Sequence, residues 1–255
     1  MRGEKQQKEE NMSDMNPTVV LLHGAFAESA SWNGVVERLQ AEGLTVVAVA
    51  NPLRSLAGDA AYVRDVIAGI DGPVVLAAHS YGGMVISEAA ADNPAVRALV
   101  YACGFAPEQG ESAFALSTKF PGSTLGDTLN AYPVSSGGVE LVIRQELFHQ
   151  PFAADVPAEQ TALMAATQRP ATQAALSDEL ASATPAWKTI PSWFIIGEMD
   201  HTIPAELQRY MAQRAGAMGT VEVPGASHAI TVSNPEIVAS TILEAVRATA
   251  ASLAR

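Results

Sequence analysis

The stretch Val74-Val75-Leu76-Ala77-Ala78-His79-Ser80-Tyr81-Gly82-Gly83-Met84 decides how this chain is read. Its first five residues are apolar without alternation, the pattern of a strand covered on both faces. From Met84 the sequence continues as a helix to about residue 91. Ser80 therefore falls on a tight strand-to-helix turn, its hydroxyl projecting beyond the strand's carboxyl end. Ala78 and Gly82, two residues before and after it, are small, as a turn crowded by neighbouring backbones requires. The helix N-terminus that follows favours negative charge developing beside the hydroxyl. A serine at this place also serves as an ordinary helix cap, so the choice rests on the rest of the chain.

Outward from this stretch, short β-branched runs recur at 18–22, 44–50, 96–102, 193–196 and 220–223. Amphipathic helices separate them. Tyr62, Val63, Val66, Ile67 and Ile70 share one helical face, which Asp71-Gly72-Pro73 ends. The last helix begins near Pro235, with Ile237, Val238, Ile242, Ala245 and Val246 on one side. This alternation predicts an α/β fold with a doubly wound, mostly parallel sheet of about six strands. One segment breaks the rhythm. Between 107 and 187 no convincing strand is read, helical fragments fall around 139–148 and 158–167, and breaks occur at Pro121-Gly122 and Ser135-Ser136-Gly137-Gly138. About eighty residues is too long for a plain loop. A helical cap inserted at about 107–187 into one domain spanning 17–255 is the expectation.

Three further strand ends carry candidate chemistry. Leu22-His23-Gly24-Ala25-Phe26 closes the first strand. There Ala25 N–H, together with Tyr81 N–H, is suited to form an oxyanion hole, Phe26 is a second contributor or a pocket wall, and His23 is a buried hydrogen-bonding residue that shapes the loop. Ile196-Gly197-Glu198-Met199-Asp200 sets a carboxylate three residues beyond a strand's last glycine, where it can orient an imidazole. Glu198 is the competing carboxylate, and helix capping is the competing role for Asp200. Val223-Pro224-Gly225-Ala226-Ser227-His228 gives a Gly-containing loop after the last strand. Of the five histidines His79 is committed to the turn, His201 adjoins Asp200 and His149 lies in the cap, whereas His228 is the one in a Gly-rich loop at a strand's carboxyl end. A surface residue is the competing reading, and the order of Ser80, Asp200 and His228 at successive strand ends favours catalytic use. Cys103, at the end of the fourth strand, is read as a buried packing thiol, with a place on the pocket floor as the competing reading.

The order Ser80, Asp200, His228 at three strand ends, with the His-Gly loop before them, resembles the α/β-hydrolase family over about 18–246. The resemblance implies Ser80 as nucleophile, Asp200 as acid, His228 as base and Ala25 and Tyr81 as the oxyanion hole. Ala78 stands where the family usually has Gly. The short stretch before Thr18 makes the chain similar to the small-capped branch that holds plant methyl esterases and hydroxynitrile lyases. Family members that open epoxides or release halide use Asp at the nucleophile position, against which Ser80 argues. The lyases typically carry Lys after the catalytic His, where this chain has Ala229. What the resemblance then implies is hydrolysis of a small, largely uncharged carboxylic ester or lactone through an acyl-enzyme. A cofactor-free perhydrolase or lyase on the same triad, or a receptor with a slow triad, stays as the alternative. Phe26 and Phe105 are expected in the substrate pocket, with Phe114, Phe120, Tyr132, Phe148 and Phe152 available from the cap; Phe148 is the cap residue assigned there.

Composition narrows the partners. The 255 residues are 48% hydrophobic and 16% charged, which is globular and not disordered. The net charge of −12 repels nucleic acid and anionic lipid. Apolar runs fall far short of the roughly 18 residues of a membrane span. Cys103 is the single cysteine, so neither an internal disulfide nor a Cys-based zinc site is available. No metal or organic cofactor is called for by this chemistry. Residues 1–16 are polar, without an apolar signal segment, and read as a flexible tail in which Met12 and Met15 offer alternative starts. The expectation is a cytoplasmic monomer or homodimer acting on a small molecule.

Overall fold

The strands are β1 (Thr18–Leu22), β2 (Val46–Val49), β3 (Val74–His79), β4 (Val96–Ala102), β5 (Leu129–Pro133), β6 (Val139–Ile143), β7 (Ala171–Thr172), β8 (Ser192–Gly197) and β9 (Gly219–Val223), and apolar, β-branched residues dominate β1 to β4 and β8. The structure is a computed structural model and describes residues 16–135 and 137–253. The expected tail therefore lies, up to residue 15, outside the described residues. Six strands form one parallel sheet in the order β2-β1-β3-β4-β8-β9. They are the six runs read from the sequence, with ends shifted by a residue or two.

The principal helices are α1 (Asn33–Ala41), α2 (Leu56–Ala68), α3 (Gly82–Ala89), α4 (Ala158–Thr167), α5 (Ala205–Arg214) and α6 (Pro235–Leu253). Successive strand residues point to opposite faces, and both faces are covered. Val19, Leu21, Val75, Ala77 and Val100 pack against Val35 and Leu39 of α1 and Val238 and Ile242 of α6. Val20, Leu22, Leu76, Leu99 and Phe194 pack against Val63 and Ile67 of α2, Met84 of α3 and Leu207 and Met211 of α5. Double coverage is why these strands show no polar alternation. The chain leaves β1 toward β2 on one side and returns to β3 on the other. Such a reversal opens a crevice at the carboxyl ends of the adjacent strands, where open α/β sheets bind ligands.

The segment between β4 and β8 corrects one expectation. It holds helices, α4 among them, but also an antiparallel sheet in the order β5-β6-β7. Val139–Ile143, read as part of a helical fragment, is the middle strand of that sheet. The signal was weak for a physical reason. Its partner Leu129–Pro133 is largely solvent-facing and ends in a proline, which an edge strand tolerates. Its other neighbour is two residues long. Cross-strand pairing, absent from any local pattern, makes this sheet. Hydrogen bonds tie the segment to the core: Phe26 N to Arg169 O at 3.2 Å, Thr172 N to Leu53 O at 3.0 Å and Thr124 N to His201 O at 2.8 Å.

Candidate active site

The carboxyl ends of four neighbouring strands share one unusual feature. Phe26 after β1, Leu53 after β2, Ser80 after β3 and Cys103 after β4 all have positive φ, at 61, 59, 55 and 42°. Non-glycine residues rarely adopt this conformation, and it concentrates at functional sites. At Ser80 it is the sharp reversal from β3 into α3. Space enforces small neighbours there. A Cβ on Gly83 would lie 2.1 Å from Phe105 O, and one on Gly24 would lie 2.5 Å from Ser80 Cβ.

Ser80, Asp200 and His228 meet although 148 and 28 residues separate the bonded pairs. Ser80 Oγ lies 2.9 Å from His228 Nε2. His228 Nδ1 donates to Asp200 Oδ2 at 2.7 Å. His228 is fully buried and Asp200 and Ser80 nearly so. Asp200 Oδ1 accepts from Thr202 N and Ile203 N, each at 2.8 Å. One oxygen thus pins the loop before α5, whose own N-cap is Pro204, and the other faces the imidazole. Glu198 lies elsewhere: it is exposed and its Oε2 accepts from Gly225 N.

The backbone donors divide sharply. Phe26 N–H is occupied by Arg169 O, whereas among the described residues Ala25 N–H and Tyr81 N–H donate to no backbone acceptor. Tyr81 is anchored from below, its hydroxyl donating to buried Asp59 Oδ2 at 2.9 Å. Burial, and after it the charge of Asp59, raises the Tyr81 pKa above its ordinary value, so the phenol keeps the proton it donates. His23 is the loop-shaping residue expected. Its Nε2 accepts from Asn51 N at 3.0 Å and its Nδ1 donates to Gly24 O at 2.9 Å. Burial lowers its pKa to about 4, which keeps it neutral. His79 is held neutral in the same way, burial acting first and the neighbouring His228 second; its Nε2 donates to His228 O at 2.8 Å.

Two residues of this site were not singled out from sequence. Gln208 on α5 is buried and donates through Nε2 to Asp200 Oδ2 at 2.9 Å and to Ile203 O at 2.7 Å. The available signal was a polar residue at a core position of an amphipathic helix, between Leu207 and Met211. Phe152 packs edge-on to the His228 ring, centroids 4.9 Å apart. Phe148, expected in the pocket, is instead fully buried against Phe152 at 4.8 Å. Phe105 and Phe26 do line the small cavity over Ser80, with Phe114 from the cap. Phe120 stacks obliquely on Tyr210, and Tyr132 donates to Glu140. Cys103 brings its Sγ within 4.8 Å of the Asp200 and His228 donor atoms. Burial, with the Asp200 charge next, pushes the thiol pKa up, so it stays protonated and is a poor metal ligand or nucleophile.

The profile of the family described as Alpha/beta hydrolase family matches residues 19–241. The chain belongs to that family. As a hydrolase it has relatives of nearly its own length. Alpha/beta hydrolase nvfD from Aspergillus novofumigatus (strain IBT 16806) is 29% identical over 259 residues, covering 91% of this chain and 97% of that protein. Esterase PIR7B from Oryza sativa subsp. japonica is 26% identical over 242 residues, covering 85% and 90%. The solved structure of polyneuridine aldehyde esterase shares the hydrolase's fold, with a TM-score of 0.77 at 21% identity over 90% of this chain and 99% of the other. No helix among the described residues is long and apolar enough to cross a membrane.

Proposed function

We propose that the protein is a serine esterase that cleaves a small, largely uncharged carboxylic ester through an acyl-enzyme. The observation that carries this is the continuous, buried hydrogen-bond relay Ser80 Oγ–His228–Asp200 at the carboxyl ends of the strands. A serine hydroxyl attacks a carbonyl at neutral pH only if a base removes its proton as the bond forms. Neutral His228 takes that proton on Nε2, and Asp200 holds the tautomer with Nδ1 protonated and stabilises the imidazolium. Ala25 N–H and Tyr81 N–H, free of backbone acceptors, receive the oxyanion, each worth on the order of 3 kcal/mol. His228 then passes its proton to the departing alcohol, and water repeats the cycle on the acyl-enzyme. Esterase names among the relatives support the reaction class. The single buried cysteine suits a reducing cytoplasm.

The test is an ester panel run with a serine-directed phosphonate. Turnover and labelling are expected in the wild type. Ser80→Ala is expected to abolish labelling and to cut kcat/KM by at least about 10³-fold while the circular dichroism spectrum is kept. Labelling retained in Ser80→Ala moves the nucleophile elsewhere. Labelling without turnover of any ester points to a different acyl chemistry.

A further inference from the structure

Two cavities lie near the relay, one touching Ser80 itself and one touching His79 and Ala229, the chain neighbours of Ser80 and His228, and their sizes are mismatched. The one over Ser80, lined by Ala25, Phe26, Tyr81, Phe105 and Phe114, is about 40 Å³. That holds a water or two, or a group of about acetyl size. The other is about 460 Å³ and is lined in part by Phe26, His79, Phe152, Met164, Ala229 and Val232. Only the second falls in the roughly 300–1,000 Å³ range of small-molecule sites. Phe26 lines both. It is 2% exposed and bulky, yet it is held at positive φ with its N–H fixed to Arg169 O. The backbone is anchored there, and rotation of the side chain is what can join the two spaces.

We infer that the larger cavity seats the alcohol moiety of the ester and that Phe26 gates its access to Ser80, which makes the substrate class an ester of a compact acid with a bulky, uncharged, mainly apolar alcohol. This rests on the esterase reading and assigns its two arms. The direction follows from where the proton goes. In the acylation step the Ser80 Oγ–carbonyl bond forms, the carbonyl–alkoxy bond breaks, and the Ser80 proton reaches the leaving alkoxide through His228 Nε2. The alcohol must therefore leave on the His228 side. The large cavity is on that side: Ala229 follows His228 in the chain, and the Phe152 and His79 rings lie 4.9 and 4.5 Å from the His228 ring. The small cavity holds the Ala25 and Tyr81 end, where the acyl oxygen is received. Glu28 is the carboxylate on the large cavity's wall, and among the described residues neither Lys nor Arg lines it, so an anionic alcohol is disfavoured. Leu163, 64% exposed, puts apolar surface at its rim.

Mirrored esters of primary alcohols, matched in leaving-group pKa, test this. One series is acetates of ethanol, cyclohexylethanol and naphthylethanol; the other is ethyl esters of acetic, cyclohexylacetic and naphthylacetic acids. The wild type is expected to favour naphthylethyl acetate over ethyl naphthylacetate by about ten-fold or more in kcat/KM. Filling the large cavity with Met164→Trp, or with Leu163→Trp at the exposed rim should the first misfold, is expected to lower kcat/KM for naphthylethyl acetate at least about ten-fold more than for ethyl acetate. Phe26→Ala is expected to raise kcat/KM for ethyl naphthylacetate by merging the cavities. A preference for the bulky acid, or equal losses for large and small acetates in the Trp variants, overturns the assignment of the arms while leaving the esterase reading intact. Hydrolysis of neither series by the wild type overturns the esterase reading and this assignment with it.

Discussion

Asp200 is one residue with two separable duties. Its Oδ1 holds the Thr202 and Ile203 amides, and its Oδ2 receives His228 Nδ1. Asp200→Asn can keep the first, because the amide oxygen still accepts two N–H bonds. It cannot keep the second, because an amide N–H would face the imidazole N–H and force the wrong tautomer. The expected outcome is a folded protein with kcat reduced by about 10⁴-fold. Glu198→Gln, at an exposed carboxylate, is expected to stay within about two-fold of wild type. Steady-state kinetics on the two variants side by side checks the assignment. A larger loss in Glu198→Gln contradicts it.

At the scale of elements, α5 does more than cover the sheet. Through Gln208 it supplies a second partner to the carboxylate oxygen that also serves His228. With that donor removed, the carboxylate is held less firmly in the orientation that serves the imidazole. Gln208→Leu, close in volume, is expected to lower kcat about ten-fold, the worth of one buried hydrogen bond, with KM little changed. A variant that loses stability but keeps the wild-type kcat assigns Gln208 to packing alone. The turn into α3 is equally exacting. Gly83→Ala sets a methyl group 2.1 Å from Phe105 O, so the elbow and the strand end beside it must both shift. Loss of phosphonate labelling in a protein that still unfolds cooperatively is the expected signature.

For the whole molecule, buried neutral histidines link stability to pH. Burial lowers the His23 pKa from 6.5 to about 4 and holds His79 well below 6.5. The unfolded chain accepts these protons first, near its ordinary value, so it gains on the folded state as pH falls. Stability from His23 is full above about pH 6.5, declines below it, and is exhausted once the folded form is itself protonated near 4. The loss over that window is about 3 kcal/mol for His23 alone. Urea midpoints measured between pH 7.5 and 4.5 are expected to fall, and His23→Gln is expected to fall less steeply. Parallel slopes for the two proteins reject the role given to His23.

The parallel sheet was legible because burial on both faces writes itself as continuous apolar runs, and the ends of those runs located Ser80, Asp200 and His228 in the order β3, β8, β9. The oxyanion candidates were legible for a related reason: a His-Gly turn after β1 and the residue after Ser80 are fixed by chain adjacency alone. The antiparallel β5-β6-β7 sheet was not, since its strands are short, partly exposed and interrupted by Pro133, and only their pairing makes them strands. Aromatic residues in the cap could be counted but not aimed. The tertiary structure turned Phe148 into the core, set Phe152 against His228 and brought Gln208 from α5 to Asp200. Local sequence determines which face of an element is apolar. Which polar atom on that face meets a partner, and which cavity opens beside it, depends on how elements distant in the chain are packed together.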